Sequence, residues 1–251
     1  MSLHDISEGR FVFGTGVGGI QDLQKLGIKI EKPVTVLREG IQILRNLWAG
    51  KEVTVDNELF KLNAYKLQIK KKRTIPIFLG VRGPQMLRLV GQHADGAILS
   101  GPLDYLKYAV KEVDRAAERT GRNPSTIEKV AWLPTIPTFK GGDESLAKKV
   151  VSIVVADMPE QVLDMLSIDR KRVDQLRDAV SKEGADAGIQ FVNDELIDMF
   201  AISGDLNHMV DMFEKVAQLG ISEVVLGPPF SGNWREAMAD IFEEIAARKD
   251  R

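Results

Sequence analysis

The chain has 251 residues, 44% of them hydrophobic, and carries 34 basic against 36 acidic side chains, enough to bury a substantial core and too balanced to be drawn to nucleic acid by charge. With no cysteine at all, disulfides, thiolate metal sites and a cysteine nucleophile are excluded, and the composition points to a reducing, cytoplasmic setting. No apolar run approaches the ~20 residues that span a bilayer, and the first residues lack the basic-then-apolar order of a secretory signal.

The first predicted element is a short buried strand over 11–15 that runs into Gly14-Thr-Gly-Val-Gly18. A helix follows over 33–50, with Pro33 in its first turn, apolar Val34, Leu37, Ile41, Leu44 and Trp48 at steps of three and four, and Gly50 as its stop. Residues 51–73 are mixed and polar and end in Lys70-Lys-Lys-Arg73; they read as an excursion, a small hairpin with a solvated basic end. Regular alternation then sets in. Strands are predicted over 75–79, 97–100 and 129–137, and helices over 84–94, 102–121 and 144–157. Residues 158–200 carry helical periodicity without a clear strand and read as a helical insertion. Asp205 is the expected N-cap of a helix over 206–219, and a last strand over 223–226 precedes a helix from 234.

Short apolar strands alternating with helices predict a parallel sheet covered by helices, an α/β fold. Neither an internal repeat nor a low-complexity linker interrupts the chain, so residues 1–251 are expected to form one domain. The length suits a (β/α)8 barrel of about 250 residues. Only five clear strand–helix units are legible, however, too few to close that barrel.

Two glycine turns carry the chemistry. An apolar strand that stops at glycines and feeds a helix offers bare backbone N–H groups to a phosphate. Gly80, Val81, Arg82 and Gly83 form the stronger candidate, because Pro84 opens a helix there and Arg82 adds a cation. Gly14, Thr15, Gly16 and Gly18 are the second, as a place where backbone approaches a cofactor ring. Ser100, Gly101 and Gly227 end later strands and are added as loop residues on the same side of the sheet. His4, His93 and His208 are dispersed without ligand spacing, so no metal site is expected, and His93 reads as a helix-end contact. Trp48 and Trp234 read as core residues on apolar helix faces.

Taken in order, Ile6-Ser-Glu-Gly-Arg-Phe-Val-Phe-Gly-Thr-Gly-Val-Gly18, Pro33-Val-x-x-Leu-Arg-Glu-Gly40, Ile75-Pro-Ile-x-Leu-Gly80 with Gly83-Pro84, Ala94-Asp-Gly-Ala97, Asp194-Glu-Leu-Ile-Asp-x-Phe200 and Leu219-Gly-Ile-x-Glu-Val-Val225 resemble the bacterial luciferase-like superfamily. The branch they are most similar to is that of the deazaflavin-dependent methylenetetrahydromethanopterin reductases, which the first glycine turn and Leu26-Gly-Ile28 also resemble. The resemblance implies a TIM-type barrel of the luciferase-like kind that binds coenzyme F420, or alternatively FMN, at the carboxyl ends of its strands. It implies hydride transfer with a small-molecule or pterin-type substrate; the alternatives are an FMN-dependent monooxygenase and a non-catalytic cofactor-binding or assembly module.

Where the sugar-phosphate dehydrogenase branch has a catalytic carboxylate, this chain has Val17, so that acid is not carried over and no catalytic residue is nominated. The family also places three strand–helix units, on the order of ninety residues, ahead of the strand before Gly14. That implies an incomplete barrel here, through a shortened chain, a misplaced start or natural loss. An incomplete barrel exposes a sheet edge and apolar faces, which predicts self-association into a homo-oligomer.

Overall fold

A computed structural model describes residues 2–19, 23, 26–29, 31–69 and 71–249. The chain divides into two compact units, Met1–Ile98 with Lys111–Glu128, and Leu99–Val110 with Lys129–Arg251.

The first unit begins with a short helix, α1 (Ser2–Ile6), and the strand β1 (Phe13–Gly16). Helix α2 (Pro33–Trp48) buries Ile41, Leu47 and Trp48, and Trp48 meets Phe13 edge-on with centroids 5.8 Å apart. The polar excursion is the expected hairpin, β2 (Val53–Asp56) antiparallel to β3 (Lys61–Tyr65). Next come β4 (Ile77–Gly80), α3 (Pro84–His93) and β5 (Gly96–Leu99). β4 pairs in parallel with β1 on one side and β5 on the other, in register Gly16↔Gly80↔Ile98. Ile77, Phe78 and Leu79 are all buried, the continuous apolar run of a parallel strand covered on both faces. The helix α4 (Leu103–Arg119) closes this unit with its second half. It comes so near α3 that a Cβ on Gly91 would lie 2.3 Å from the Val113 carbonyl oxygen, so glycine is required for the two helices to touch.

The second unit is organised by β6 (Glu128–Pro137). Its amino half pairs in parallel with β8 (Glu223–Gly227) and its carboxyl half with β7 (Ile202–Gly204). β7 was not expected, because three residues, Ile202-Ser-Gly204, are too few to show alternation. Among the described residues the parallel strands are therefore six rather than the five legible in the sequence. Between β6 and β7 come α5 (Glu144–Ala156), at the helix expected over 144–157, and then, within residues 158–200, α6 (Glu160–Leu163), α7 (Arg170–Glu183), α8 (Ala185–Gly188) and α9 (Asp194–Phe200). Val151 and Val155 of α5, Leu176 of α7 and Phe200 of α9 are buried. Helix α10 (Leu206–Ala217) starts where Asp205 predicts, its carboxylate accepting the His208 N–H at 2.9 Å. Helix α11 (Trp234–Lys249) buries Ala237, Met238 and Ile241. Among the described residues no helix is long and apolar enough to cross a membrane.

Candidate cofactor-binding site

In the first unit the sheet has two chemically different ends. At the amino ends of β4 and β5, Asp95 joins several elements. One carboxylate oxygen accepts from the Ile77 N–H and the Arg45 guanidinium, both at 2.9 Å. The Asp95 N–H donates to Ile77 at 2.8 Å, and its carbonyl accepts from Glu128 at 3.0 Å. Arg45 also donates to the His93 carbonyl, and Arg122 donates to the carbonyls of Val90, Gly91 and Ala94. The last-turn carbonyls of α3, which an isolated helix leaves unpaired, are thus capped by arginine. His93, the last residue of α3, is held below its ordinary pKa by burial first and then by the positive charges of Arg38, Arg122 and Arg45.

At the carboxyl ends the backbone is bare. Gly80 ends β4 exposed to solvent, and a Cβ there would approach nothing closer than the Thr15 carbonyl oxygen at 3.9 Å. Packing does not demand glycine at this position, so the open space above it is the feature to explain. Gly83 is the N-cap of α3 and supplies no side-chain acceptor to the first turn. The first intrahelical bond runs from the Leu87 N–H to the Gly83 carbonyl at 3.0 Å, and the donors ahead of it point out of the helix end, where an anion is favoured. Arg82 stands between the two glycines, half-buried.

The remaining nominated residues divide. Gly14, Thr15 and Gly16 lie on β1 beside Phe78, Leu79 and Gly80 of β4. A Cβ on Gly16 would sit 3.0 Å from the Gly80 carbonyl oxygen, so here the close strand approach itself favours glycine. Gly18 has φ +93, open to glycine and strained for other residues. Val81 is nominated for its amide, but that N–H already donates to the Ile98 carbonyl at 3.2 Å and its side chain is 5% exposed. Its amide belongs to the ladder between β4 and β5, and Val81 contributes a wall rather than a donor. Arg73 of the basic run is bound to Asp5 at 2.6 Å, and Lys70 lies outside the described residues.

Ser100 and Gly227 belong to the second unit. The Ser100 hydroxyl oxygen is shut off from solvent without a protein hydrogen-bond partner, an arrangement that asks for a ligand or water. Gly227 is explained by packing: a Cβ there would lie 2.8 Å from the Leu133 carbonyl oxygen. Trp234, expected in the core, is instead half-buried and stacked on Phe230. Its apolar helical spacing is real, but it stands at the first turn of α11, where the loop after β8 brings Phe230 against it. Among the described residues no cluster of histidine and carboxylate side chains could hold a metal ion.

The family model described as luciferase-like monooxygenase matches residues 1–223. The 5,10-methylenetetrahydromethanopterin reductase of Archaeoglobus fulgidus is 31% identical over 251 residues, covering 97% of this chain and 75% of that protein. Among solved structures, the coenzyme F420-dependent tetrahydromethanopterin reductase of Methanopyrus kandleri superposes with a TM-score of 0.82 at 24% identity, covering 97% of this chain and 75% of the other. An F420-dependent secondary alcohol dehydrogenase in complex with an F420–acetone adduct gives 0.71 at 20% identity, over 97% and 71%. At these identities the two structures speak for the fold, the parallel α/β barrel type of that family.

Proposed function

Because this chain belongs to the luciferase-like monooxygenase family, we propose that it is an oxidoreductase that binds coenzyme F420 and serves hydride transfer with a pterin-type or other small-molecule substrate. Its relatives support the reading: methylenetetrahydromethanopterin reductases by sequence, F420-dependent enzymes by fold. Within the chain one observation carries it. An exposed glycine with open space above it leads through Arg82 into a helix whose first turn has no side-chain cap.

Gly80, Gly83, the first-turn amides of α3 and Arg82 would hold the cofactor's phosphate, a glycine-lined anion cradle of ordinary kind. Gly14, Thr15, Gly16 and Gly18 would let backbone come close to its ring or polyol chain, with Val81 as a wall. In the second unit, the Ser100 hydroxyl would find its missing partner on a ligand, while Gly227 would serve by allowing the close packing of β8 on β6. When bound, the deazaflavin supplies the hydride chemistry; the protein contributes binding, orientation and exclusion of water.

We further propose that residues 1–251 form a single, partial barrel domain, that the protein works in the cytoplasm, and that it self-associates. Leu3, Ile6, Val12, Leu26 and Ile28 are 42–79% exposed in the first unit, apolar surface that a second subunit would cover. Light scattering on a sizing column reads this directly, and a monomer at micromolar concentration would remove it.

The experiment for the main reading is a pair of titrations of the purified chain, one with coenzyme F420 and one with FMN, followed by absorption and calorimetry. F420 binding, tighter than FMN, is the expected result. Tight FMN binding without F420 binding would turn the reading to an FMN monooxygenase. Binding of neither would leave a module without this cofactor.

A further inference from the structure

The chain leaves β8 through Gly227-Pro-Pro-Phe-Ser-Gly-Asn-Trp234, a run of turn-forming residues that carries two large rings. Phe230 and Trp234 stack, with centroids 4.8 Å apart and planes 21° from parallel. The guanidinium carbon of Arg235 lies 4.5 Å from the Trp234 ring centroid. Both rings are only half-buried, so the stack is no core plug.

The loop that bears them is clasped to the loop after β6. The Asn233 N–H donates to the Lys140 carbonyl at 2.9 Å, and the Asp143 N–H donates to the Ser231 hydroxyl at 2.9 Å. The Lys140 ammonium sits 3.1 Å from the Asp240 carboxylate. Gly232 (φ +59) comes so close that a Cβ would lie 2.4 Å from the Gly141 carbonyl oxygen. Lys140 itself has φ 57, a left-handed backbone that is unfavourable for lysine and persists where surrounding contacts enforce it, as at ligand clamps. A rigid loop with a pair of stacked, half-open rings is preorganised for a flat partner.

We propose that Phe230 and Trp234 form a stacking platform for the fused heterocycle of a pterin-type substrate, with Arg235 beside it as donor to the ring's lactam carbonyl. The proposal rests on the oxidoreductase reading above for its class of substrate. It assigns the platform to substrate, not to the F420 phosphate, whose proposed cradle is the Gly80–Pro84 turn.

The test is calorimetry of tetrahydromethanopterin, and separately of coenzyme F420, on the wild-type chain, Phe230→Ala, Phe230→Tyr and Arg235→Gln. Phe230→Ala should weaken pterin binding roughly tenfold to a hundredfold, the loss expected of one aromatic stacking face, while Phe230→Tyr restores it. Arg235, on the exposed first turn of α11, can be changed without disturbing the core, and Arg235→Gln should weaken pterin binding several-fold. F420 affinity should not move in any variant. Equal pterin affinity in wild type, Phe230→Ala and Arg235→Gln would overturn the proposal, as would a wild type that binds F420 but no pterin. If pterin binds in a Phe230-dependent way and F420 does not bind, the platform stands and the F420 reading falls.

Discussion

The two ends of β4 and β5 differ in what their backbone is doing. At the amino ends Asp95, Arg45 and Arg122 occupy the first amide of β4 and the last-turn carbonyls of α3. At the carboxyl end β4 stops at Gly80, ahead of a helix start without a side-chain cap. The first arrangement satisfies buried polar groups and fixes where the strands begin. On the proposed function the second leaves donors for a cofactor phosphate, so that stability and binding would be separated along a strand only four residues long, and substitutions at its two ends should move different observables.

The largest effect on stability is expected from Asp95→Ala. It removes the acceptor of the fully buried Ile77 N–H, at about 1–3 kcal/mol for an unpaired buried amide. The Arg45–Asp95 pair, a third exposed on each side, adds less than about 1 kcal/mol after screening by solvent. Urea unfolding should show a loss of about 2–3 kcal/mol, while F420 affinity per folded molecule stays unchanged. A large fall in affinity at equal folded fraction would break the separation.

Arg82→Gln should act the other way. F420 affinity per folded molecule should fall about tenfold, with a shallower salt dependence, since one charge-assisted contact to an anion is lost. Gly16→Ala lies between the two, because its new Cβ presses on the Gly80 carbonyl oxygen. It should cost about 1 kcal/mol of stability and weaken binding as well.

The smallest effect concerns pH. The folded state holds His93 below its ordinary pKa, so folding favours the neutral ring. That contribution is complete above the unfolded pKa, near 6.5, and is lost as pH falls through the lower folded value. Stability should therefore slope downward as pH drops below about 6.5, and His93→Gln should flatten that segment without touching F420 affinity.

Much of this was legible beforehand, for physical reasons. Ile75-Pro-Ile-Phe-Leu-Gly80 announces a buried strand because both faces are covered, and Asp205 announces a cap because an oxygen there meets free amides. Pro84 marks the helix start because its fixed φ suits the first turn. What stayed hidden depends on partners distant in sequence. Nothing near Asp95 points to Arg45 or Arg122, and β7 is too short to declare itself. The Val81 amide looked available until its partner, Ile98, was known. Trp234 has the spacing of a core residue, and only the position of Phe230 shows that it faces outward into a stack.

The claim that the carboxyl-end glycines are kept for a ligand meets its most direct test in Gly80→Ala. A Cβ there meets no atom closer than 3.9 Å, so the folded chain has room for it. Isothermal titration of coenzyme F420 into wild type and Gly80→Ala, alongside their urea unfolding curves, should give equal stability and an affinity at least tenfold weaker in the variant. Equal affinity at equal stability would contradict the account, because the bare backbone at the end of β4 would then serve no cofactor.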